Sequence, residues 1–307
     1  MPWECEHRRR WSFLKKKGGD PFFLTVSYFD PHPPYMAPST YTSRYASRDM
    51  KLPETVRPGE VSPRLQAHAE AMEFDKQSDA DLTETMRYYH AAIEYGVDAQ
   101  VGRLLRALTE QGLDSSTLVI FTADHGDFMG HYRMVRKGML LYDHLLHVPL
   151  LVRYPGVAAA GRRVHDAVQL LDLFPTIAEA TGSKAPEGVE LRGRSFLPLL
   201  SNPPHPAGAN RGIFASAGYA QVDKAKIAKD EKQRALHQRV LDTVMHAEHR
   251  AATIRTGEWR MTLHEADPPE LFQLGKETGE RKNVVNERAH AKVRRELEGR
   301  LQQWWRW

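Results

Sequence analysis

Two short apolar runs in this chain each end abruptly in polar residues. Residues 21–29 (Pro-Phe-Phe-Leu-Thr-Val-Ser-Tyr-Phe) have apolar side chains at both odd and even positions, which predicts a strand buried on both faces. Residues 117–123 (Thr-Leu-Val-Ile-Phe-Thr-Ala) have the same character. The first run leads into a proline-rich loop that contains His32, and the second into residues 124–127 (Asp-His-Gly-Asp). Such endings are typical of α/β enzymes, which place ligands at the carboxyl edge of a sheet.

Between these runs, the spacing of apolar residues changes to that of a helix. From Thr83 to Gly112 they recur three or four residues apart, which predicts an amphipathic helix that ends at Gly112. Thr83 or Asp81 would serve as its N-cap. Residues 36–82 show weak periodicity and many Pro, Ser, Arg and Asp residues. We interpret them as a long excursion over the surface, near the mouth of a site.

The rest of the chain alternates between helical and strand patterns and becomes antiparallel near residue 250. The predicted elements are a short helix at 140–145, strands at 147–153 and 270–274, helices at 170–180, 223–248 and 286–303, a loop region at 183–212, and a hairpin at 251–263 that turns near Gly257. These patterns predict an α/β protein in two parts. A domain at 1–200 would have helices on both faces of a mixed sheet. A C-terminal α+β subdomain at 201–307 would have antiparallel strands and a closing helix.

Composition and charge narrow the classes of partner. The chain has 307 residues, 41% hydrophobic and 27% charged, which is an ordinary globular balance. Its net charge is only +4, and the only tight runs of basic residues are 8–10 and 15–17. A nucleic-acid binder usually concentrates basic residues on one element, so no nucleic-acid partner is expected. The single cysteine, Cys5, excludes an intrachain disulfide. No run reaches the ~20 apolar residues that span a bilayer, and none has the pattern of a secretion signal, so a cytoplasmic location is expected.

Four residues near the ends of the predicted strands are candidates for chemistry. Asp124 offers a hard oxygen and His125 a nitrogen, a pair that suits a divalent cation. On these two residues alone, a turn-capping aspartate and a structural loop histidine remain an equal alternative. Lys137, thirteen residues after Asp124 and beside Gly138, is suited to contact an anion, although a solvated surface lysine would look the same. His32, between prolines, is as compatible with a structural role as with a catalytic one.

Taken together, the four residues indicate a site for an oxyanion ester. Different strands of an open α/β sheet deliver their end loops to one crevice, where these side chains would meet. The cation and Lys137 would neutralise the anion that forms, and His32 would protonate the leaving oxygen. Asp127 is interpreted as a residue that orders the loop, without a ligand role.

Four stretches, in order along the chain, resemble the sulfatases, a family within the alkaline phosphatase superfamily. They are residues 21–35, residues 122–127 with 136–138, residues 147–156, and residues 271–283. Residues 193–200 (Gly-Arg-Ser-Phe-Leu-Pro-Leu-Leu) also resemble the family. The order and spacing agree from about residue 20 to the C-terminus. The resemblance implies a doubly wound sulfatase-like sheet, of which this chain would hold a part.

The resemblance also implies an activity, a metal and roles for the candidate residues. The activity is the hydrolysis of small-molecule or carbohydrate sulfate esters by metal-assisted attack on sulfur. Asp124 and His125 would bind the metal, calcium in most members, with manganese or magnesium as alternatives. Lys137 would contact the sulfate, and His32 would lie near the sulfate and the leaving oxygen. Many members have Asn where His125 stands. Histidine at this position is also a feature of phosphonate and phosphodiester hydrolases of the same superfamily, which the chain resembles in this respect.

The chain departs from the family pattern towards its N-terminal end. Sulfatases carry paired metal-binding aspartates and a Cys/Ser-x-Pro/Ala-x-Arg motif whose Cys or Ser becomes formylglycine, the nucleophile. Neither feature is found in this sequence. Cys5 and Arg9 have the spacing of the motif, but His7 replaces the Pro/Ala and no Thr-Gly-Arg follows. We therefore interpret Cys5 as an ordinary cysteine.

Three explanations of this departure remain open from the sequence. The chain is a fragment that lacks an N-terminal portion, a degenerate and inactive paralogue, or one half of a split protein that another chain completes. Under each of them, the chain alone is expected to bind divalent metal weakly and to hydrolyse no sulfate ester.

Overall fold

The computed structural model describes residues 20–54, 56–200, 211–218, 249–275 and 279–305. The chain divides into two compact units. Unit 1 comprises residues 1–53, 78–120 and 152–155, and unit 2 comprises residues 54–77, 121–151 and 156–307. The units cross the predicted domain boundary at residue 200, since three segments that precede it group with the C-terminal residues.

The elements of the described residues are mixed in type, which confirms the predicted α/β class. In chain order the α-helices are α1 Ser39–Thr42, α2 Pro58–Val61, α3 Pro63–Ala71, α4 Asp79–Ala92, α5 Ala99–Glu110, α6 Asp143–Leu146, α7 Leu173–Thr181, α8 Leu197–Leu200 and α9 Ala291–Trp304. The strands are β1 Val119–Thr122, β2 Leu150–Arg153, β3 Ile213–Ala217, β4 Ala251–Arg255, β5 Trp259–His264 and β6 Glu270–Gln273. Short 3₁₀ turns lie at Ser47–Asp49, Phe74–Lys76, His131–Arg133, Leu170–Asp172, Gly279–Arg281 and Arg288–His290. A π-helical turn, Ile93–Asp98, joins α4 to α5.

The predicted helix at 83–112 is confirmed, but it begins earlier than expected. Ser78 caps it, because the Ser78 hydroxyl accepts a hydrogen bond from Asp81 N (3.2 Å) while the Asp81 carboxylate accepts one from Ser78 N (3.0 Å). Neither predicted cap is therefore the N-cap. Gly112 (φ +66°) follows the end of α5, in the left-handed conformation that ends many helices.

The prediction of a buried strand at 21–29 is wrong. In unit 1 this segment packs Phe22 and Leu24 against α5, but Phe23 is 74% exposed and Phe29 is 72% exposed. An extended segment becomes a strand only when a neighbouring strand accepts and donates its backbone hydrogen bonds. No strand among the described residues pairs with residues 21–29, so the segment stays extended with one apolar side uncovered.

The interpretation of residues 36–82 as a long excursion over the surface did not foresee the helices that they form. This region contains α1, α2 and α3 and begins α4. Prolines at the first positions of α2 and α3 gave the segment its loop-like composition, although proline is well tolerated at the first turn of a helix. Ser62 caps α3 by accepting a hydrogen bond from Leu65 N at 3.1 Å.

An antiparallel sheet in the order β3-β4-β5-β6 forms the core of unit 2. The predicted hairpin is confirmed as β4 and β5, and the strand predicted at 270–274 is β6. Ile254, Met261 and Leu271 lie opposite one another in adjacent strands and are fully buried. Leu297 and Leu301 of α9 pack against them, which confirms the closing helix. The edge strand β3 was not predicted.

The middle of the chain follows its predicted order. β1 and β2 form a two-stranded sheet, at positions within the two predicted strands. The predicted helices at 140–145 and 170–180 correspond to α6 and to α7 with its preceding 3₁₀ turn. The helix predicted at 223–248 lies outside the described residues. No described helix has both the length and the apolar character that crossing a bilayer requires.

Candidate active site

Asp124 Oδ2 and His125 Nε2 lie 3.5 Å apart just beyond β1, and they are called the acceptor pair below. The His125 Nδ1 atom lies 2.9 Å from Gly126 O, and because a carbonyl only accepts, Nδ1 carries the proton. In the neutral ring, Nε2 then holds a lone pair, and it lies 3.5 Å from Asp124 Oδ2. Two acceptors at this distance suit a shared cation. A backbone carbonyl on the second ring nitrogen is also the usual arrangement for a histidine that binds metal.

The acceptor pair is part of a metal site and does not complete one. Asp124 Oδ1 accepts a hydrogen bond from His125 N at 3.0 Å, which orients the carboxylate. The Asp124 side chain is 87% exposed, so the carboxylate is also accessible to ligands from solvent. In the portion of the chain that the structure describes, no three His, Cys, Asp or Glu side chains gather closely enough to hold a metal ion. The donors present fit a divalent cation in kind but are too few.

The backbone after the acceptor pair is fixed by a close approach to α6. Gly126 N donates a hydrogen bond to Leu145 O at 2.8 Å. A side chain on Gly126 would collide with the carbonyl group of His144, whose carbon would lie only 3.1 Å from the added Cβ. Glycine is therefore required for the loop to reach α6. The adjacent rings of His131 and His144 stack with centroids 3.6 Å apart.

The loop then doubles back on itself and returns towards its start. Phe128 N donates to Arg136 O at 2.9 Å, and Gly130 N donates to Met134 O at 2.7 Å. Buried side chains hold this hairpin in unit 2: Phe128, Tyr132, Met134 and Val135. Asp127 Oδ1 accepts a hydrogen bond from Met129 N at 3.0 Å, which is the loop-ordering contact expected of it.

Several residues of this hairpin adopt the left-handed backbone conformation. Met129 (φ +36°), Tyr132 (φ +54°), Arg133 (φ +58°) and Arg136 (φ +66°) all have positive φ angles. Non-glycine residues rarely adopt this conformation, and such residues gather at functional sites. Arg136 immediately precedes Lys137, so the unusual conformation directly sets the course of the backbone at the candidate anion contact.

A buried histidine that was not identified from the sequence, His68, lies beside the backbone at Lys137 and Gly138. His68 of α3 is buried, and its ring lies against the backbone of Gly138, the residue that follows Lys137. Burial and the nearby charge of Arg64 lower the pKa of His68 to about 4. The Lys137 side chain is half-buried, and no salt bridge joins its ammonium to a carboxylate of the described residues. No spacing or motif distinguishes His68 from the other loop and helix histidines.

A buried ion-pair network supports α6, on which the acceptor loop rests. Arg260 of β5 pairs with Glu280, and the Glu280 carboxylate accepts a hydrogen bond from Asp143 N at 2.8 Å. Arg255 Nε lies 3.1 Å from the Asp143 carboxylate. Glu280 belongs to the stretch at 271–283 that resembles the family, but that resemblance did not identify it as a support for α6.

His32 lies in unit 1, so its position relative to the acceptor pair and Lys137 stays a prediction. Its ring is exposed, with Nδ1 2.8 Å from Pro33 O and its centroid 4.6 Å from that of Phe29. Near it, the Asp30 carboxylate occupies the space beside Gly96 in the π-helical turn. Burial raises the pKa of Asp30.

Known proteins with a similar sequence or structure cover this chain to different extents. The Sulfatase family profile matches residues 10–183. The uncharacterized sulfatase YidJ of Escherichia coli (strain K12) is 32% identical over 174 residues, which are 56% of this chain and 34% of YidJ. PehA of Trinickia caryophylli, a multifunctional alkaline phosphatase superfamily protein, is 24% identical over 312 residues, 96% of this chain and 58% of PehA.

A solved structure gives a similar result. The phosphonate monoester hydrolase of Agrobacterium radiobacter matches with a TM-score of 0.78 and 28% identity, over 96% of this chain and 58% of that chain. The chain therefore spans between 34% and 58% of the length of these relatives. Because the family profile covers more than half of its residues, the chain belongs to the sulfatase family.

Proposed function

We propose that this chain supplies part of the active site of a hydrolase that cleaves sulfate esters. The observation that carries the proposal is the loop at 124–138, which holds the acceptor pair of Asp124 and His125 and leads to Lys137 on one backbone hairpin. Negative charge grows on the oxygens of a sulfate ester as the bond to its leaving oxygen breaks. Fixed positive groups around those oxygens lower the barrier.

Lys137 and His32 are proposed to act on the ester. The Lys137 ammonium, which no described carboxylate pairs, would contact the oxyanion. The exposed His32 ring would give a proton to the leaving oxygen. The sequence contains no Cys/Ser-x-Pro/Ala-x-Arg motif, from which formylglycine, the family's nucleophile, would arise. The chain alone is therefore expected to bind the ester group without hydrolysing it.

Asp124 and His125 are the residues proposed to bind a divalent metal ion, which the sulfatase family generally uses. Calcium is the first choice because the resemblance to the sulfatases implies it, and manganese or magnesium are alternatives. The imidazole of His125 favours manganese over the other two. When bound, the ion would draw charge from the ester oxygens.

A phosphonate monoester is the second candidate substrate. Two observations favour it: His125 offers a nitrogen donor, and the phosphonate monoester hydrolase of Agrobacterium radiobacter matches this chain with 28% identity and a TM-score of 0.78. The acceptor pair and Lys137 suit either ester, because both carry a tetrahedral oxyanion centre. Small aryl or carbohydrate sulfates remain the first candidates because the Sulfatase profile matches the residues that carry the loop.

Anion binding by the purified chain tests the proposal. Inorganic sulfate would be titrated calorimetrically, in the presence of calcium, into the chain, into Lys137→Gln, and into Lys184→Gln as a control at an exposed lysine. Losing one charge-assisted contact predicts binding about tenfold weaker for Lys137→Gln and unchanged binding for Lys184→Gln. Equal affinities of all three proteins for sulfate would contradict the proposal.

Competition separates the two substrate classes. Methylphosphonate would be added to the sulfate-bound chain, and displacement would be measured by the same method. The sulfate reading predicts comparable or weaker binding of methylphosphonate. Binding of methylphosphonate about tenfold tighter than sulfate, lost in Lys137→Gln, would favour the phosphonate candidate instead.

A further inference from the structure

A second cationic pocket lies in unit 2 and shares no residue with the 124–138 loop. It has a volume of about 320 Å³, near the lower end of the range for small-molecule sites. Its walls carry four guanidinium groups, those of Arg192, Arg194, Arg211 and Arg300. Gln169, Phe214 and Trp304 complete the polar and aromatic parts of the lining.

Two glycines make room for these walls. A side chain on Gly193 would collide with Leu171 O, and its Cβ would lie 2.9 Å from Asp172 N, so the chain between Arg192 and Arg194 lies directly on the turn at Leu170–Asp172. A Cβ on Gly212 would lie 2.6 Å from Arg300 Nη2. The Arg300 guanidinium therefore occupies space that any other residue at 212 would need.

One arginine of the pocket is fixed by a buried carboxylate. Arg211 Nη2 donates to Asp172 Oδ1 at 2.6 Å, and Asp172 is fully buried. The same carboxylate also accepts hydrogen bonds from the backbone nitrogens of Arg194 (2.8 Å) and Gln169 (3.0 Å). Asp172 thus orders three segments of the wall, and its single negative charge is matched by Arg211.

The other three arginines of the pocket have weaker carboxylate partners, or none among the described residues. Arg300 Nη1 lies 3.7 Å from Glu296 on the same helix, a loose pair. No salt bridge joins the Arg192 or Arg194 side chain to a carboxylate within the described ranges. Among the described residues, carboxylate partners are seen for Arg211 and Arg300 but not for Arg192 or Arg194, so the described part of the wall carries more positive than negative charge. Guanidinium groups bind phosphate and sulfate oxygens through paired hydrogen bonds.

An aromatic surface forms the other side of the pocket. The rings of Phe214 and Trp304 stack with centroids 4.9 Å apart and an angle of 13° between their planes. The guanidinium of Arg192 lies 5.6 Å from the centre of the Trp304 ring. Gln169 Oε1 accepts a hydrogen bond from Phe214 N at 2.8 Å, which fixes the Gln169 side chain against β3. A flat apolar face beside cations suits a ring that carries an anionic group.

We propose that this pocket binds a sugar-sized ring compound that carries a phosphate or sulfate group. The oxyanion would lie between Arg192 and Arg194, and the ring would pack against the edge of the stacked Phe214 and Trp304 rings. A bare inorganic anion would fill only a fraction of about 320 Å³, so the ring adds the contacts that the aromatic wall provides. The site would act in addition to the candidate active site.

Titration calorimetry with three probes tests this second site. Glucose 6-phosphate, glucose 6-sulfate and glucose would each be titrated into the chain and into the double variant Arg192→Gln with Arg194→Gln. The matched control is Arg163→Gln with Arg288→Gln, which removes the same charge from exposed positions of unit 2 outside the pocket. Asp172 and Arg211 stay unchanged, so that the fold around them is kept.

The proposal predicts binding of at least one anionic sugar, no binding of glucose, and a loss of about tenfold or more in the pocket variant. The control variant should keep the affinity of the parent chain. In Lys137→Gln binding at this pocket should persist and only a contribution from the candidate active site should be lost, which separates the two sites. Comparing glucose 6-phosphate with glucose 6-sulfate identifies the preferred oxyanion. Absence of binding, or equal weakening in the pocket and control variants, would overturn the proposal.

Discussion

The imidazole of His68 occupies the space beside Gly138 in which any other residue would place its side chain. A Cβ added to Gly138 would lie 2.8 Å from His68 Nε2 and closer still to Cε1. Lys137 immediately precedes Gly138, so its backbone also lies beside this ring. Lys137 therefore takes its position from a buried ring as well as from the loop that carries it.

Gly138→Ala is expected to destabilise the protein by about 2 kcal/mol, because the methyl group has no room and His68 is buried. The same change should weaken sulfate binding, since Lys137 would move with its backbone. Urea unfolding and calorimetry measure the two effects. Gly299→Ala is the control, because no atom lies within 4 Å of a Cβ there. Equal stabilities of Gly138→Ala and the parent chain would contradict the packing described.

Acid should destabilise the protein partly through two buried histidines. Burial lowers the pKa values of His68 and His144 from 6.5 to about 4, with help from Arg64 and from His131 respectively. In the unfolded chain these histidines become protonated below about pH 6.5, whereas in the folded chain they stay neutral down to about pH 4. Stability present above that window is lost as the pH falls through it, on the order of 3 kcal/mol for His68.

His68→Gln separates this effect from general acid unfolding. The variant should be less stable at neutral pH, yet lose less stability between neutral and mildly acidic pH than the parent chain. Thermal unfolding across that range measures the slope. His165→Gln, at an exposed histidine, should keep the parent slope. An unchanged slope in His68→Gln would show that His68 is not buried in its neutral form.

Arg260→Met should cost about 3–5 kcal/mol, because it leaves buried carboxylates without their cation. Glu280 pairs with Arg260 directly, and Glu270 lies 3.8 Å away. Denaturant unfolding measures the loss, and Arg295→Met on the exposed face of α9 is the control. Since Glu280 holds Asp143 N of α6, the variant should also increase hydrogen exchange at Gly126. Full protection of Gly126 in Arg260→Met would argue against this line of support.

The sequence predicted those elements whose hydrogen bonds and packing are local. The β4–β5 hairpin follows from alternation and a glycine turn, and α4 with α5 follows from helical spacing. Residues 21–29 were misjudged because a strand depends on a neighbour that the pattern of one segment cannot reveal. Residues 36–82 were misjudged because prolines at helix starts look like loop signals.

The candidate site divides in the same way. Asp124, His125 and Lys137 were found because chemical type and family spacing mark them. His68, Arg260 and Glu280 were missed because they act through burial and long-range contacts, and their positions carry no sequence signal of their own. The pairing of Phe128 with Arg136, which returns the loop to its start, likewise depends on non-glycine residues in the left-handed conformation, which the sequence does not indicate.

Manganese binding by the chain tests the central claim, that Asp124 and His125 form part of a divalent metal site. Electron paramagnetic resonance would follow free manganese during titration of the chain, of Asp124→Asn, and of Glu187→Gln as an exposed control. Because the Asp124 side chain is 87% exposed, the substitution should leave stability unchanged. Manganese should bind weakly to the chain and to Glu187→Gln, and this binding should be lost in Asp124→Asn. Binding that persists unchanged in Asp124→Asn would contradict the claim.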